Sequence, residues 1–140
     1  MKIVIDCNRV IASLIKDSTT REILFSNLFE FYSPDFLREE LFKYKEEITE
    51  KAKLNENSFE ILINLFFEHI KIIPEQEYSN FLETFNNSNL DPKDIPYLAV
   101  ALFTNSKGIW THDSHFLNQN KVKILTNIDM LNIIRQNSDN

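Results

Sequence analysis

Five carboxylates stand where side chains do chemistry. Asp6 closes the short apolar run Ile3-Val4-Ile5, and Asp113 closes Ile109-Trp110-Thr111-His112. Each reads as an acid at the carboxyl end of a β-strand, although an Asp there also serves as an ordinary helix cap or turn residue. Glu40 is placed by helical rotation. Leu37, Leu41, Tyr44 and Ile48 define one apolar stripe, and Glu40 sits roughly 70° from it while Glu39 sits roughly 170° away. Glu40 therefore lies at the margin of a buried face, where a carboxylate is paired, metal-bound or costly; Lys43 is its ordinary partner. Asp91-Pro92-Lys93-Asp94 fits a helix start with Asp91 as cap and Pro92 at the first position. Pro96 opposes that phase, because a proline in the fifth helical position lacks an N–H and crowds a carbonyl. It fits better in a helix that starts after Asp94. Acids converging on one edge repel unless divalent cations neutralise them. All-oxygen ligands suit Mg²⁺ or Mn²⁺, and two such ions can activate a water and stabilise the leaving oxygen of a phosphodiester.

Other chemistries lack their parts. His112 and His115 flank Asp113, yet no further Cys or His cluster completes a tetrahedral zinc set; His115 is better placed to meet a phosphate. The 140 residues contain one glycine, Gly108, so the glycine-rich loops of P-loop and dinucleotide-binding proteins are absent, as is a G-x-S-x-G nucleophile elbow. Fifteen Lys and Arg against 21 Asp and Glu give a net charge of −6, which argues against a generic cationic coat on nucleic acid. It leaves open an enzyme that meets phosphates through bound metal.

The length predicts one domain over residues 1–135, followed by a frayed tail over 136–140. Twelve Phe and many Ile and Leu supply a core that needs no disulfide. A lone Cys7 fits a reducing compartment, and no leader or bilayer-length apolar run is present, so a cytoplasmic protein is expected. Lys2–Cys7 reads as a central strand buried on both faces. A helix follows the hydroxyl caps at Ser18–Thr20, and 29–33 is a second strand. Ser33 is expected to cap a helix with Pro34 at its first position, running to about Ala52. The spacing of Phe59, Leu62, Ile63, Phe66 and Phe67 predicts another helix. Strand 70–73, a helix over 75–84 and a polar loop over 86–89 come next. A helix through Leu98 and Leu102, strands 108–112 and 122–126, and a helix over 128–134 complete the chain. Strands separated by helices imply a three-layer α/β/α sandwich with a central, mainly parallel sheet. Ligands of such sheets bind beyond the carboxyl ends of the strands.

Three stretches together resemble the PIN domain family, small metal-dependent ribonucleases related in fold to the flap endonucleases. Ile3-Val4-Ile5-Asp6-Cys7-Asn8 resembles the family's opening strand, with Cys7 in place of the commoner hydroxyl residue or Ala. The segment Asp91 to Leu102 is similar to the acidic segment leading into a helix in the toxin-like branch. Ile109 to Phe116 is similar to that branch's strand and late Asp, and Glu40-Leu41 falls in the second-element helix. The resemblance implies hydrolysis of RNA phosphodiesters with Mg²⁺ or Mn²⁺ held by Asp6, Glu40, Asp94 and Asp113. Asn8 and Asp91 would assist, with Asp94 favoured over Asp91 as the ligand. Arg9, Lys93, Lys107 and His115 are the candidate RNA contacts. Many members are toxins neutralised by an antitoxin and many are dimers, so an antitoxin and a second copy are the partners implied beside RNA.

Two other readings compete. A phospho-acceptor receiver module would want paired acids after the first strand and a mid-chain strand ending in Asp, and neither is present. A catalytically silent PIN fold, binding RNA or protein, would be favoured by a lost acid; all four are present.

Overall fold

A computed structural model of the chain describes residues 1–15, 17–86 and 89–138. Its centre is β1 (Lys2–Ile5), whose Ile3, Val4 and Ile5 are fully buried. A strand with no solvent face needs a neighbour on each edge and a helical layer on each side. β2 (Glu30–Pro34) and β4 (Ile109–Trp110) flank it, both parallel, with Val4 opposite both Tyr32 and Ile109. β3 (Ile70–Ile73) pairs with β2, and β5 (Ile124–Leu125) with β4. The order β3-β2-β1-β4-β5 is all parallel, which with helices on both faces makes the three-layer α/β/α sandwich. The chain builds outward from β1 to β3, then returns to the other side of β1 for β4 and β5. The β1–β4 crevice is therefore the topological switch point, where sheets of this kind bind ligands.

α7 (Ile95–Thr104) packs on β1, β2 and β4. Its run Tyr97-Leu98-Ala99-Val100-Ala101 is wholly buried, as an almost continuously apolar helix must be. Asn105 ends it in the left-handed conformation at φ 54°, a cap that Asn tolerates without glycine. The single glycine is needed for another reason. A Cβ on Gly108 would lie 2.6 Å from the backbone oxygen of Lys123, so a side chain there would push β4 and β5 apart. Trp110 is fully buried and donates its indole N–H to Asn127 Oδ1 at 2.8 Å. That bond ties the sheet to α8 (Asn127–Ser138).

Several boundaries differ from the sequence expectation. An unanticipated helix, α1 (Cys7–Leu14), follows β1 directly. α2 (Ser18–Leu24) starts one residue earlier than its hydroxyls suggest, because the Asp17 carboxylate accepts the Thr20 N–H and is the cap. Ser33 and Pro34 do not start a helix: both pair with β3, Pro34 opposite Ile73. Pro34 thus occupies the last position of its strand. The long helix expected from there is two, α3 (Leu37–Lys43) and α4 (Lys45–Ala52), broken at Tyr44. α5 (Glu56–Phe67) is capped by Asn55, which accepts the Ser58 N–H. Only Glu75–Tyr78 of the next helix is α-helical (α6), the rest being a 3₁₀ segment, Ser79–Phe85. In the polar loop expected over 86–89, residues 87 and 88 lie outside the described residues. α8 continues to Ser138, so 136–138 are helical rather than frayed, and 139–140 lie outside the described residues. No helix among the described residues is long and apolar enough to cross a membrane.

Candidate active site

Two helices begin at an aspartate that does not cap them. Asp6 follows β1 and stands at the N-cap of α1, and Asp94 stands at the N-cap of α7, yet neither side chain bonds a helix N–H. Both carboxylates are turned elsewhere. Asp6 is 6% exposed, and its Oδ2 accepts the Thr111 hydroxyl at 2.8 Å. The same Thr111 oxygen accepts the Asp113 N–H at 3.0 Å. Thr111, itself fully buried, thus locks the end of β1 to the turn after β4. Asp113 does act as a cap: its Oδ1 accepts the His115 N–H at 2.9 Å and starts the 3₁₀ segment Ser114–Asn118.

Asp94, Asp113 and His115 form a cluster of possible metal-ligating side chains. One ligand atom from each lies within 4.8 Å of the others, and His115 Nδ1 is 3.3 Å from Asp113 Oδ1. Asp94 Oδ2 is buried with no hydrogen-bond partner. An unpaired buried carboxylate oxygen is expensive, and the cost shows in its protonation. Burial, then the charges of Asp113, Asp6 and Asp91, push Asp94 up to about 6, with His115 opposing. Asp6 is likewise pushed up to about 6, chiefly by burial and then by Asp113 and Glu40, against the Thr111 bond and Arg9. Glu40, on α3, is half-buried and its Oε1 accepts the Tyr97 hydroxyl at 3.1 Å. Burial raises it also, while that bond and the cations of Lys43 and Lys93 pull it down.

The structure brings Asp6, Asp94, Asp113 and His115 to the carboxyl edge of the sheet, with Glu40 close enough to repel Asp6. Asn8 is exposed in the first turn of α1. Asp91 is exposed and accepts the Lys93 N–H at 3.0 Å, shaping the turn before α7. Arg9 is half-buried with its Nε unbonded, near Asp6 and Asp17. Lys93 is exposed beside Glu40. Lys107 is not part of the group. It precedes β4, and its N–H donates to the Lys2 carbonyl at the start of β1, at the opposite edge of the sheet. His112 faces away from the cluster, its Nε2 accepting the Asn127 N–H at 3.0 Å.

Two residues of the site escaped the sequence reading. Thr111 was seen only as a strand residue, although a hydroxyl two positions before a strand-end Asp was the available signal. Tyr97 is a buried core residue whose hydroxyl also holds Glu40.

This geometry can be set beside known proteins. No curated protein matches the chain in sequence. The solved structure of a toxin-antitoxin complex from Klebsiella pneumoniae contains a chain that superposes with a TM-score of 0.65 at 12% identity, over 89% of this chain and 97% of that one. At that identity the likeness is one of fold. The family model described as a PIN domain matches residues 4–131, from inside β1 to the middle of α8, a span that includes every carboxylate above. By the extent of that match, the chain belongs to the PIN domain family.

Proposed function

We propose that the chain is a metal-dependent endoribonuclease that hydrolyses RNA phosphodiester bonds, with Mg²⁺ or Mn²⁺ held by Asp6, Glu40, Asp94 and Asp113. PIN domains are generally nucleases and generally use divalent metal ions. The observation that carries the reading is the buried, unpartnered Oδ2 of Asp94 beside the Asp113 carboxylate. Such an arrangement costs stability unless a cation occupies it, and its hard oxygen donors fit Mg²⁺ or Mn²⁺. When bound, the ion supplies an activated water and neutralises charge developing on the phosphate.

The chain's own residues have separable tasks. Thr111 holds the Asp6 carboxylate in one orientation, and Tyr97 does the same for Glu40, leaving one oxygen of each acid outside the bond. Asn8 and Asp91 assist, Asp91 by fixing the turn that carries Asp94. Arg9, Lys93 and His115 border the acids and are the RNA contacts. Lys107, on the far edge, is not. A cytoplasmic toxin neutralised by an antitoxin, and paired with a second copy of itself, is the setting we infer; the fold shared with a chain of a toxin-antitoxin complex supports the antitoxin partner alone.

The test is cleavage of single-stranded RNA with Mg²⁺, with Mn²⁺ and with chelator, comparing the wild-type chain with Asp6→Asn and Asp94→Asn. Metal-dependent cutting that both variants lose by 10²-fold or more is expected. Cutting that persists in either variant, or in chelator, would overturn the assignment.

A further inference from the structure

Beside the acids, a groove of about 140 Å³ is lined by Phe36, Glu40, Lys43, Tyr44 and Lys93. We propose that it is a subsite for one nucleotide of single-stranded RNA adjoining the scissile phosphate, with the base on the Tyr44 ring and its phosphate between Lys43 and Lys93. This rests on the nuclease reading above and adds where the strand runs.

The break between α3 and α4 makes the groove. Tyr44 sits at that junction in a non-helical conformation, φ −99° and ψ 11°. Tyr44 is 44% exposed as a residue, and its ring stacks on no aromatic neighbour among the described residues. An uncovered aromatic face suits any base, because every base has a π-face. The floor is rigid: Phe36 meets Tyr97 edge-on at 5.5 Å, and Tyr97 bonds Glu40. Lys43 and Lys93 are exposed, and neither makes an ion pair with any described residue. On a chain of net charge −6, the two lysines outnumber the one lining carboxylate, Glu40, on which their charges already act, and beside an aromatic wall they favour an anion carrying a flat ring. The groove is smaller than the ~300–1,000 Å³ of a drug-sized ligand site, which favours one base over a duplex or a folded peptide. Glu40 is wall to both groove and acid cluster, so a nucleotide here lies next to the reacting phosphate.

Binding is read apart from cutting by placing the groove substitutions in the full chain carrying Asp113→Asn, with Mn²⁺ and a labelled RNA pentanucleotide followed by fluorescence anisotropy. Tyr44→Ala raises Kd about tenfold or more, on the scale of base stacking, and Tyr44→Phe restores it. Combined Lys43→Ala and Lys93→Ala lower the slope of log K against log salt by about 0.7 per lysine. Lys121→Ala, before β5 at the far edge, changes neither quantity. Groove variants that match their parent, or a parent that binds no RNA, overturn the subsite. The first result would give the groove another occupant, such as a protein side chain, even if the wild-type chain cuts RNA. Binding lost as described in a chain whose wild type never cuts would instead strike the nuclease reading alone.

Discussion

A single hydroxyl, that of Thr111, serves two acids: it donates to Asp6 Oδ2 and accepts the Asp113 N–H. Thr111→Val keeps the shape and removes both bonds. It leaves a part-buried N–H without its partner, a loss of about 1–3 kcal/mol. It also removes the interaction that lowers the Asp6 pKa, so Asp6 holds its proton to still higher pH. The destabilisation therefore grows above pH 6, where the wild-type carboxylate is ionised and bonded. Urea midpoints at pH 5 and pH 8 check this, and an equal loss at both would mean that only the N–H bond matters. The legible residues at this scale are those whose position in an element fixes their direction. Asp6 and Asp113 stand where strands end, and Glu40 at the edge of a helical stripe. The helix phase that Pro96 fits, starting after Asp94, is the one observed, with Pro96 in the first turn of α7. Lys107 is a candidate RNA contact from the sequence, yet the strand rule that selects Asp113 after β4 puts a residue before β4 on the other edge.

At the scale of elements, Gly108 sets how closely β4 approaches β5. Gly108→Ala would bring a Cβ to 2.6 Å from the Lys123 oxygen, and that oxygen belongs to backbone which also accepts the Ile109 N–H. The strand must shift as a unit, at a cost of about 1–3 kcal/mol for overpacking. Because Thr111 and Asp113 follow β4 in the chain, the shift also disturbs the acid cluster. We expect a lower urea midpoint together with weaker Mn²⁺ affinity by calorimetry; an unchanged affinity would show that the turn after β4 is positioned independently of β5. The strands were legible because short runs of β-branched, aromatic and other apolar residues between polar segments have few alternatives. Helix starts were less so. α1 follows β1 with Asp6 as the sole residue between them; an Asp there is compatible with a helix cap, a turn or a site acid, so it does not by itself announce a helix, and its side chain makes no capping bond. At Ser33-Pro34 the cap pattern was present but lost to the ladder, where pairing with β3 satisfies the backbone in extended form. The break at Tyr44 leaves the apolar stripe in phase on both sides, so periodicity alone reads one helix.

Over the whole molecule, alternating strands and helices implied a parallel sheet but not the order of its strands. That order, with the reversal between β1 and β4, is what gathers acids more than 100 residues apart in sequence, and it ties folding to their charge. Asp6 and Asp94 are each held at about 6 in the fold, against about 3.9 in an unfolded chain. A raised folded pKa means that the native state binds the proton more tightly. The contribution of these two acids to metal-free stability is therefore fullest below about pH 4 and declines as pH rises through 6, by on the order of 2–3 kcal/mol for the nearly inaccessible Asp6. The two acids repel each other, so their losses do not simply add. Divalent metal reverses the trend, because it binds the ionised form. At a hundredfold excess over Kd it returns about 2.7 kcal/mol. Thermal unfolding of the wild-type chain should rise with Mn²⁺ at pH 8 and hardly move at pH 5. Asp94→Asn should be more stable than wild type without metal at pH 8 and should lose the Mn²⁺ response. An Mn²⁺ response of wild-type size in Asp94→Asn would place the cation elsewhere on this acidic surface, and the buried Asp94 oxygen would then need another partner.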